Sequence, residues 1–373
     1  MTIPLFKVKE ISNIGAKINE LFESGKVAHG EYVTKFEAML GAYIGSQYTL
    51  ATSEMSSSIA MCLYVSGVRP GDEVLMSPLV CLATSCPVKN IFANIVWCDV
   101  NPKTGNLDPD DIARKITPKT KALILYHWAG DPSDLEKIYA IASRYNIKVI
   151  EDANEALGAE YNGKKIGNTG ADFTIFSFYP IRQLTTIEGG AITCKTEEDY
   201  KRLLKLRRYG INQQTFRLPN GEINLQSDIE EAGWNSYMSN ISAMIGCAQF
   251  DTLDKVIKKH QTNGFYYDAE LQKLSNVEFL IRPKNSISAY WFYTFLCDRK
   301  DELMLYLKEN GISSSAVHIR NDIYSCFGET NHTLEGVDYF SKRAISIPCG
   351  WWLTREECEC IVQKIEQFLK LNR

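Results

Sequence analysis

Two acidic side chains follow an apolar run in the middle of the chain. Val149 and Ile150 lead directly into Glu151 and Asp152. A carboxylate that is buried without a charge partner or hydrogen-bond donors destabilises a fold, so acids at such a position need a partner. Asp152 is predicted either to cap a following helix or to contact a ligand, and this segment by itself leaves both alternatives open.

A cluster of hydroxyl side chains lies where an apolar run, residues 48–52, gives way to a helical pattern. Ser56, Ser57 and Ser58 occupy the predicted start of that helix. The unpaired amide groups and the positive end of the dipole at a helix N-terminus are suited to phosphate. Serine also caps helices without any ligand, and this is the alternative interpretation.

These side chains have to be positioned by the elements around them. Seven short apolar runs alternate with amphipathic helical patterns, such as those at 57–65 and 135–145. This alternation predicts an α/β fold with a seven-stranded, mainly parallel sheet and helices on both faces, whose ligands bind at the carboxyl ends of the strands. The predicted strands are residues 48–52, 73–77, 94–100, 121–127, 148–153, 173–178 and 191–194.

The pattern changes in the last part of the chain. Residues 211–234 are polar and are predicted to form a long excursion, and a helical stretch is predicted over 239–260. An amphipathic helix is predicted at 355–369. We therefore predict two domains, a large α/β domain at 1–245 and a smaller C-terminal α+β domain at 246–373.

Composition excludes several classes of function. The chain has 373 residues and a net charge of −4, which gives no electrostatic reason to bind nucleic acid or an anionic membrane. No apolar stretch is long enough for a signal peptide or a membrane span, so a cytoplasmic protein is expected. The eleven cysteines form no CxxC pair and only five histidines are present, so neither a metal site nor a disulfide framework is expected.

Residues 176–190 resemble the segment that carries the cofactor-binding lysine in the DegT/StrS-type sugar aminotransferases, fold-type I enzymes that depend on pyridoxal phosphate (PLP). Four further segments resemble that family in the same order, so the resemblance covers nearly the entire chain: 126–132, 208–211, 318–322 and 347–352. The resemblance implies a fold-type I aminotransferase-like fold, a homodimer with pockets at the subunit boundary, and a nucleotide sugar as substrate.

Arg182 stands where the family has the lysine that forms an imine with the cofactor aldehyde. A guanidinium stays protonated and has no free lone pair to attack a carbonyl, so ordinary lysine-dependent transamination is not expected. A branch of the family has histidine there and uses pyridoxamine phosphate (PMP), but arginine cannot accept a proton as histidine does. PLP or PMP is therefore expected to be held noncovalently, if the pocket keeps a cofactor.

The resemblance also implies roles for other residues around the cofactor. Asp152 matches the aspartate that pairs with the pyridine nitrogen of PLP, and Glu155 falls near the ring hydroxyl. Cys81 takes the place of an aromatic residue that stacks on the ring. Contacts to the cofactor phosphate are implied for Ser57, Ser58 and Ser177, and for Asn235 across the dimer interface.

Three residues are candidates for binding the substrate. Tyr179 replaces a histidine that is usual in the family, and Arg320 falls where family members contact the sugar nucleotide. An arginine is suited to a diphosphate because its donors form a planar fork. His318 is a further candidate, although a purely structural histidine is an equal alternative.

Three hypotheses about function follow. The first is an enzyme acting on a keto-sugar nucleotide in cell-surface polysaccharide or deoxysugar biosynthesis, with an altered cofactor site. The second is a sugar-nucleotide enzyme that works without PLP, in which Arg182 holds an anionic group. The third is a catalytically silent homologue that binds a sugar nucleotide or partners an active aminotransferase. The first is preferred because Asp152, Glu155, Ser177 and Asn235 are retained.

Overall fold

The computed structural model describes residues 2–328 and 333–371. The α-helices are α1 Ile14–Glu23, α2 Glu31–Ile44, α3 Met55–Val65, α4 Leu82–Asn90, α5 Pro109–Lys115, α6 Leu135–Tyr145, α7 Glu197–Leu206, α8 Asn240–Cys247, α9 Phe250–Leu271, α10 Lys300–Glu309, α11 Glu335–Arg343 and α12 Arg355–Lys370. Short 3-10 turns lie at Trp128–Gly130, Asn321–Ile323 and Ser325–Phe327.

Three sheets hold the strands of the described chain. The strands are β1 Thr49–Thr52, β2 Glu73–Met76, β3 Asn94–Trp97, β4 Thr120–Tyr126, β5 Lys148–Asp152, β6 Glu160–Tyr161, β7 Lys164–Lys165, β8 Phe173–Ser177, β9 Gly190–Cys194, β10 Glu278–Phe279, β11 Ser286–Ile287, β12 Tyr293–Leu296 and β13 Ala344–Ile347. The main sheet has the order β1-β9-β8-β5-β4-β2-β3, and the two small sheets have the orders β10-β12-β13 and β11-β6-β7.

The predicted α/β architecture is confirmed. All seven predicted runs are strands of the main sheet, and only β9 runs antiparallel to its neighbours. β4 and β5 lie at its centre, where side chains of both faces are buried, which explains why these strands lack polar alternation. Two separate groups of core side chains pack on the two faces of this sheet.

Helix α6 occupies the residues predicted for it, because its start and end signals are both local. The Asp134 side chain accepts the amide of Lys137, and Asn146 ends the helix in the left-handed region at φ 54°. The helical stretch predicted at 239–260 is instead two helices, α8 and α9. They separate at Gln249, whose side-chain amide donates to the carbonyl oxygens of Thr185 and Ile245.

The C-terminal part has the predicted mixture of helices and strands. Helices α9, α10 and α12 pack with the sheet β10-β12-β13. Their shared core consists of apolar side chains from the range 267–368, together with Ile3 near the start of the chain. Residues 211–234 contain neither helix nor strand, as expected for an excursion. The division between domains at residue 245 stays a prediction.

Within the described ranges, none of the helices combines the length and the apolar character that a membrane span requires.

Candidate functional site

The two acids at the end of β5 point to opposite faces of the sheet, because side chains alternate along a strand. Glu151 accepts hydrogen bonds from the hydroxyls of Tyr139 and Thr174 and lies 3.7 Å from Nε2 of the buried His127. Because Tyr139 belongs to α6, these contacts lie on the face of the sheet that α6 covers. Glu151 therefore has a structural role, and only Asp152 faces the other side.

Asp152 is completely buried and is held by three donors. One of its carboxylate oxygens accepts the Thr84 hydroxyl at 2.6 Å, and the other accepts the Asn154 side-chain amide at 2.7 Å and the Asn154 backbone amide at 3.2 Å. Burial, with the nearby charge of Glu155, raises the pKa of Asp152 although these donors oppose the shift. No α-helix follows within residues 153–159, so the helix-cap alternative is wrong.

Glu155 lies at the centre of a second buried group, which we call the Glu155 cluster: Tyr126, Glu155, Arg182 and His318. One carboxylate oxygen accepts the backbone amide of Ala129 at 3.0 Å. The other lies 3.2 Å from Nε2 of His318 and 3.7 Å from Nη1 of Arg182. The Tyr126 hydroxyl is 3.0 Å from the same His318 nitrogen. Burial and the charge of Glu155 raise the pKa of Tyr126.

The guanidinium of Arg182 lies over an aromatic ring that the sequence motifs do not predict. Its central carbon is 3.9 Å from the ring centroid of Trp291, and Phe6 stacks on the same tryptophan at 4.5 Å. Nε1 of Trp291 donates to the carbonyl oxygen of Ile181, which fixes the ring beside the arginine. Among the described residues, Nε and Nη1 of Arg182 have no hydrogen-bond partner. Two nitrogens of this largely buried cation therefore make no hydrogen bond within the described chain, although one lies 3.7 Å from the Glu155 carboxylate.

The start of α3 differs from the prediction. The helix begins at Met55, and Glu54 caps it: its carboxylate oxygens accept the amides of Ser56 at 2.5 Å and Ser57 at 2.6 Å. Ser58 is fully buried and bonds to Thr52 and to the Glu54 carbonyl oxygen, so its hydroxyl is turned away from any ligand. An acid directly before a helical pattern was the available signal for Glu54.

The remaining candidates for the phosphate end lie near this cap. The Ser57 hydroxyl is 2.5 Å from that of Ser236, which follows the exposed Asn235 in sequence. Ser177 pairs with Gly190 across β8 and β9, and Gly190 pairs in turn with Thr52 at the end of β1. The structure therefore brings these residues to the same edge of the sheet.

Cys81, Tyr179 and Arg320 are the remaining predicted site residues. Cys81 is half-buried at the N-cap position of α4, three residues before the Thr84 that bonds Asp152. Tyr179 is 47% exposed. Arg320 is already paired with two carboxylates, those of Asp322 and Asp338, and the bond with Asp322 raises its pKa. A diphosphate would have to compete with both, so the role predicted for Arg320 has no support from its contacts.

Among the described residues, no group of three or more histidine, cysteine or acidic side chains is arranged to hold a metal ion.

The seven-stranded sheet and its helices have the fold of a solved sugar aminotransferase. A solved structure at 32% identity, the sugar aminotransferase CalS13 from Micromonospora echinospora, matches with a TM-score of 0.92 over 98% of this chain and 99% of that one. The model of the DegT/DnrJ/EryC1/StrS aminotransferase family matches residues 9–366, and the chain belongs to this family.

Two curated relatives are similar over almost their full length. GDP-perosamine synthase of Caulobacter vibrioides is 29% identical, with 91% of each chain covered. The spore coat polysaccharide biosynthesis protein SpsC of Bacillus subtilis is 26% identical, with 99% of this chain and 96% of SpsC covered. The family predicted from the segments around Arg182 is therefore confirmed.

Proposed function

We propose that this protein acts on a nucleotide sugar in cell-surface polysaccharide or deoxysugar biosynthesis, without lysine-dependent transamination. Membership of a sugar aminotransferase family and the similarity to GDP-perosamine synthase and SpsC support the substrate class. We expect the ligand to bind at the carboxyl ends of the strands, where Asp152 and Glu155 are buried.

The observation that carries the proposal is the environment of Arg182. Its guanidinium is always protonated and cannot attack a carbonyl. It lies against Trp291 and near Glu155, and it keeps two donor nitrogens without hydrogen-bond partners among the described residues. Unpaired buried donors cost free energy, so a ligand acceptor that displaced the groups covering these nitrogens would be stabilised by pairing with them. Arg182 is therefore assigned to binding an anionic or carbonyl group of the substrate.

The family resemblance implies PLP, and the residues present do not fit it. Asp152 and Glu155 suit the ring of the cofactor, but Arg182 stands where the imine-forming amine is needed. At the phosphate end, the first free amides of α3 already bind the Glu54 carboxylate. We therefore assign no reaction step to PLP or PMP.

A calorimetric titration with nucleotide diphosphate sugars tests the substrate class, followed by product analysis. We expect binding by the wild-type protein and about tenfold weaker binding by Arg182→Met, because one charge-assisted hydrogen bond is lost. Arg202→Met, which removes a half-exposed arginine paired with Glu231, serves as the matched control and should bind like the wild type. Absence of binding by the wild type would refute the proposal.

The three hypotheses about function predict different outcomes in this experiment. Turnover without added cofactor would favour a PLP-independent sugar-nucleotide enzyme. Binding without turnover, or pairing with an active relative, would favour a catalytically silent homologue. Turnover that requires PMP would favour the altered cofactor site.

We also propose a homodimer in the cytoplasm, with no nucleic acid or membrane partner. The family resemblance places Asn235 at a pocket of the other subunit, and this side chain is exposed in the single chain. The neighbouring excursion exposes apolar side chains as well, among them Leu225, which is 96% exposed. Sedimentation of the purified protein tests the proposal, and a monomer at micromolar concentration would contradict it.

A further inference from the structure

The N-terminus of α3 is a strong site for a negative charge. The helix spans eleven residues, and the amides of its first turn have no carbonyl partners within the helix. Such amides, together with the helix dipole, bind carboxylates and phosphates alike. An anion held there competes with any other for the same amides.

Glu54 supplies this anion from within the chain. Both of its carboxylate oxygens are engaged, one with the Ser56 amide and one with the Ser57 amide. The Ser57 hydroxyl is also committed, to Ser236 and to the carbonyl oxygen of Glu54. The amides of Ser56 and Ser57 and the Ser57 hydroxyl therefore already have partners within the chain.

A second acid adds to the negative charge at this end of the site. Glu188 lies in the segment that leads into β9, and its pKa is raised by partial burial and by the charge of Glu54. The part of the shift that comes from Glu54 shows that Glu188 lies close enough to Glu54 for the two negative charges to repel. A phosphate brought to the same place would experience that repulsion with more than one negative charge.

We propose that Glu54 is a built-in substitute for a ligand phosphate, and that it closes the α3 N-terminus of this protein to the phosphate of PLP or PMP. The inference rests on α3, its cap and the nearby charge of Glu188. It stands whether or not the protein acts on a nucleotide sugar, so the two proposals fail independently.

The test compares PMP with pyridoxamine, which lacks the phosphate, in equilibrium dialysis. The variant is Glu54→Ser, because serine keeps the helix capped while removing the carboxylate. We expect Glu54→Ser to bind PMP at least about tenfold more tightly than the wild type, and both proteins to bind pyridoxamine equally. The same difference is expected for Glu54→Gln, which keeps the size of the side chain.

Asp134→Ser is the matched control. The Asp134 carboxylate also caps a helix, but that helix is α6 and not α3. This variant should leave PMP binding unchanged. Equal affinity of the wild type and Glu54→Ser for PMP would overturn the proposal, as would a failure of both Glu54 variants to bind PMP when circular dichroism shows that they are folded. A gain in pyridoxamine binding equal to the gain in PMP binding would overturn it too, because the phosphate would then be irrelevant.

Discussion

At the scale of the residue, Arg182 separates two properties that a lysine would combine. A lysine in this place could be both a cation and, when deprotonated, a nucleophile, whereas arginine is only a cation. The planar guanidinium gains contact with Trp291 at 3.9 Å that a compact ammonium would make less well. The side chain is thus suited to holding a ligand and unsuited to forming a bond with it.

Replacing Arg182 by lysine tests whether this residue alone prevents imine formation. We expect Arg182→Lys to react with PLP only at concentrations at least about tenfold higher than those needed by the double variant Arg182→Lys/Glu54→Ser, because Glu54 still occupies the phosphate end in the single variant. Visible absorbance and the mass of the borohydride-reduced protein measure the adduct.

The control for this experiment is Arg202→Lys, which places a new lysine on the surface. It should form no saturable adduct. If the single and double variants reach half-saturation at the same PLP concentration, Glu54 does not limit access of the phosphate.

At the scale of the element, one ion pair holds the edge of the main sheet. Arg207, just after α7, donates to the carbonyl oxygen of Ala51 in β1 at 2.8 Å and pairs with Glu37 of α2, which in turn accepts the Ala51 amide. Arg207 and Glu37 are almost fully buried. Helix α2, strand β1 and the segment just after α7 are thereby fixed to one another.

Breaking this pair should be costly. Arg207→Met is expected to lower the free energy of unfolding by about 3–5 kcal/mol, because Glu37 would remain buried without its partner. Arg202→Met breaks the half-exposed pair with Glu231 and should cost no more than about 1 kcal/mol. Urea denaturation followed by circular dichroism measures both, and similar values for the two variants would refute the assignment.

At the scale of the whole molecule, stability should depend on the protonation of a buried histidine. His260 of α9 is fully buried, with Nδ1 2.8 Å from the carbonyl oxygen of Tyr290. Burial lowers its pKa to about 4, against the weaker opposing effect of that carbonyl. In the unfolded chain the pKa is about 6.5. The unfolded state therefore binds a proton that the folded state does not.

The sign of the effect follows from this difference. The contribution is complete above about pH 6.5, falls as the pH drops, and is lost near pH 4, a change of about 3 kcal/mol. We expect the free energy of unfolding of the wild type to fall more between pH 7 and pH 4.5 than that of His260→Gln, by about 2–3 kcal/mol. Equal losses in the two proteins would show that His260 does not carry the effect.

Local patterns in the sequence were sufficient for the elements. The seven strands and α6 were predictable because burial on both faces, helical spacing and capping residues such as Asp134 and Asn146 lie within a few residues of one another. The replacement of the family's lysine by Arg182 was also evident from the sequence, because it requires only one residue type within one segment. The family followed from segments in the right order.

Partners distant in sequence were not predictable. His318 meets Glu155 across 163 residues, and Trp291, in the loop before β12, lies over the guanidinium of Arg182 from a distant part of the chain. The serines at 56–58 also gave no indication that the Glu54 carboxylate would accept the amides of Ser56 and Ser57. The sequence by itself determined the elements, the family and the missing amine, because these depend on residue types and short spacings. Only the tertiary structure decided which buried charges meet, because chain crossing, and not spacing, sets those distances.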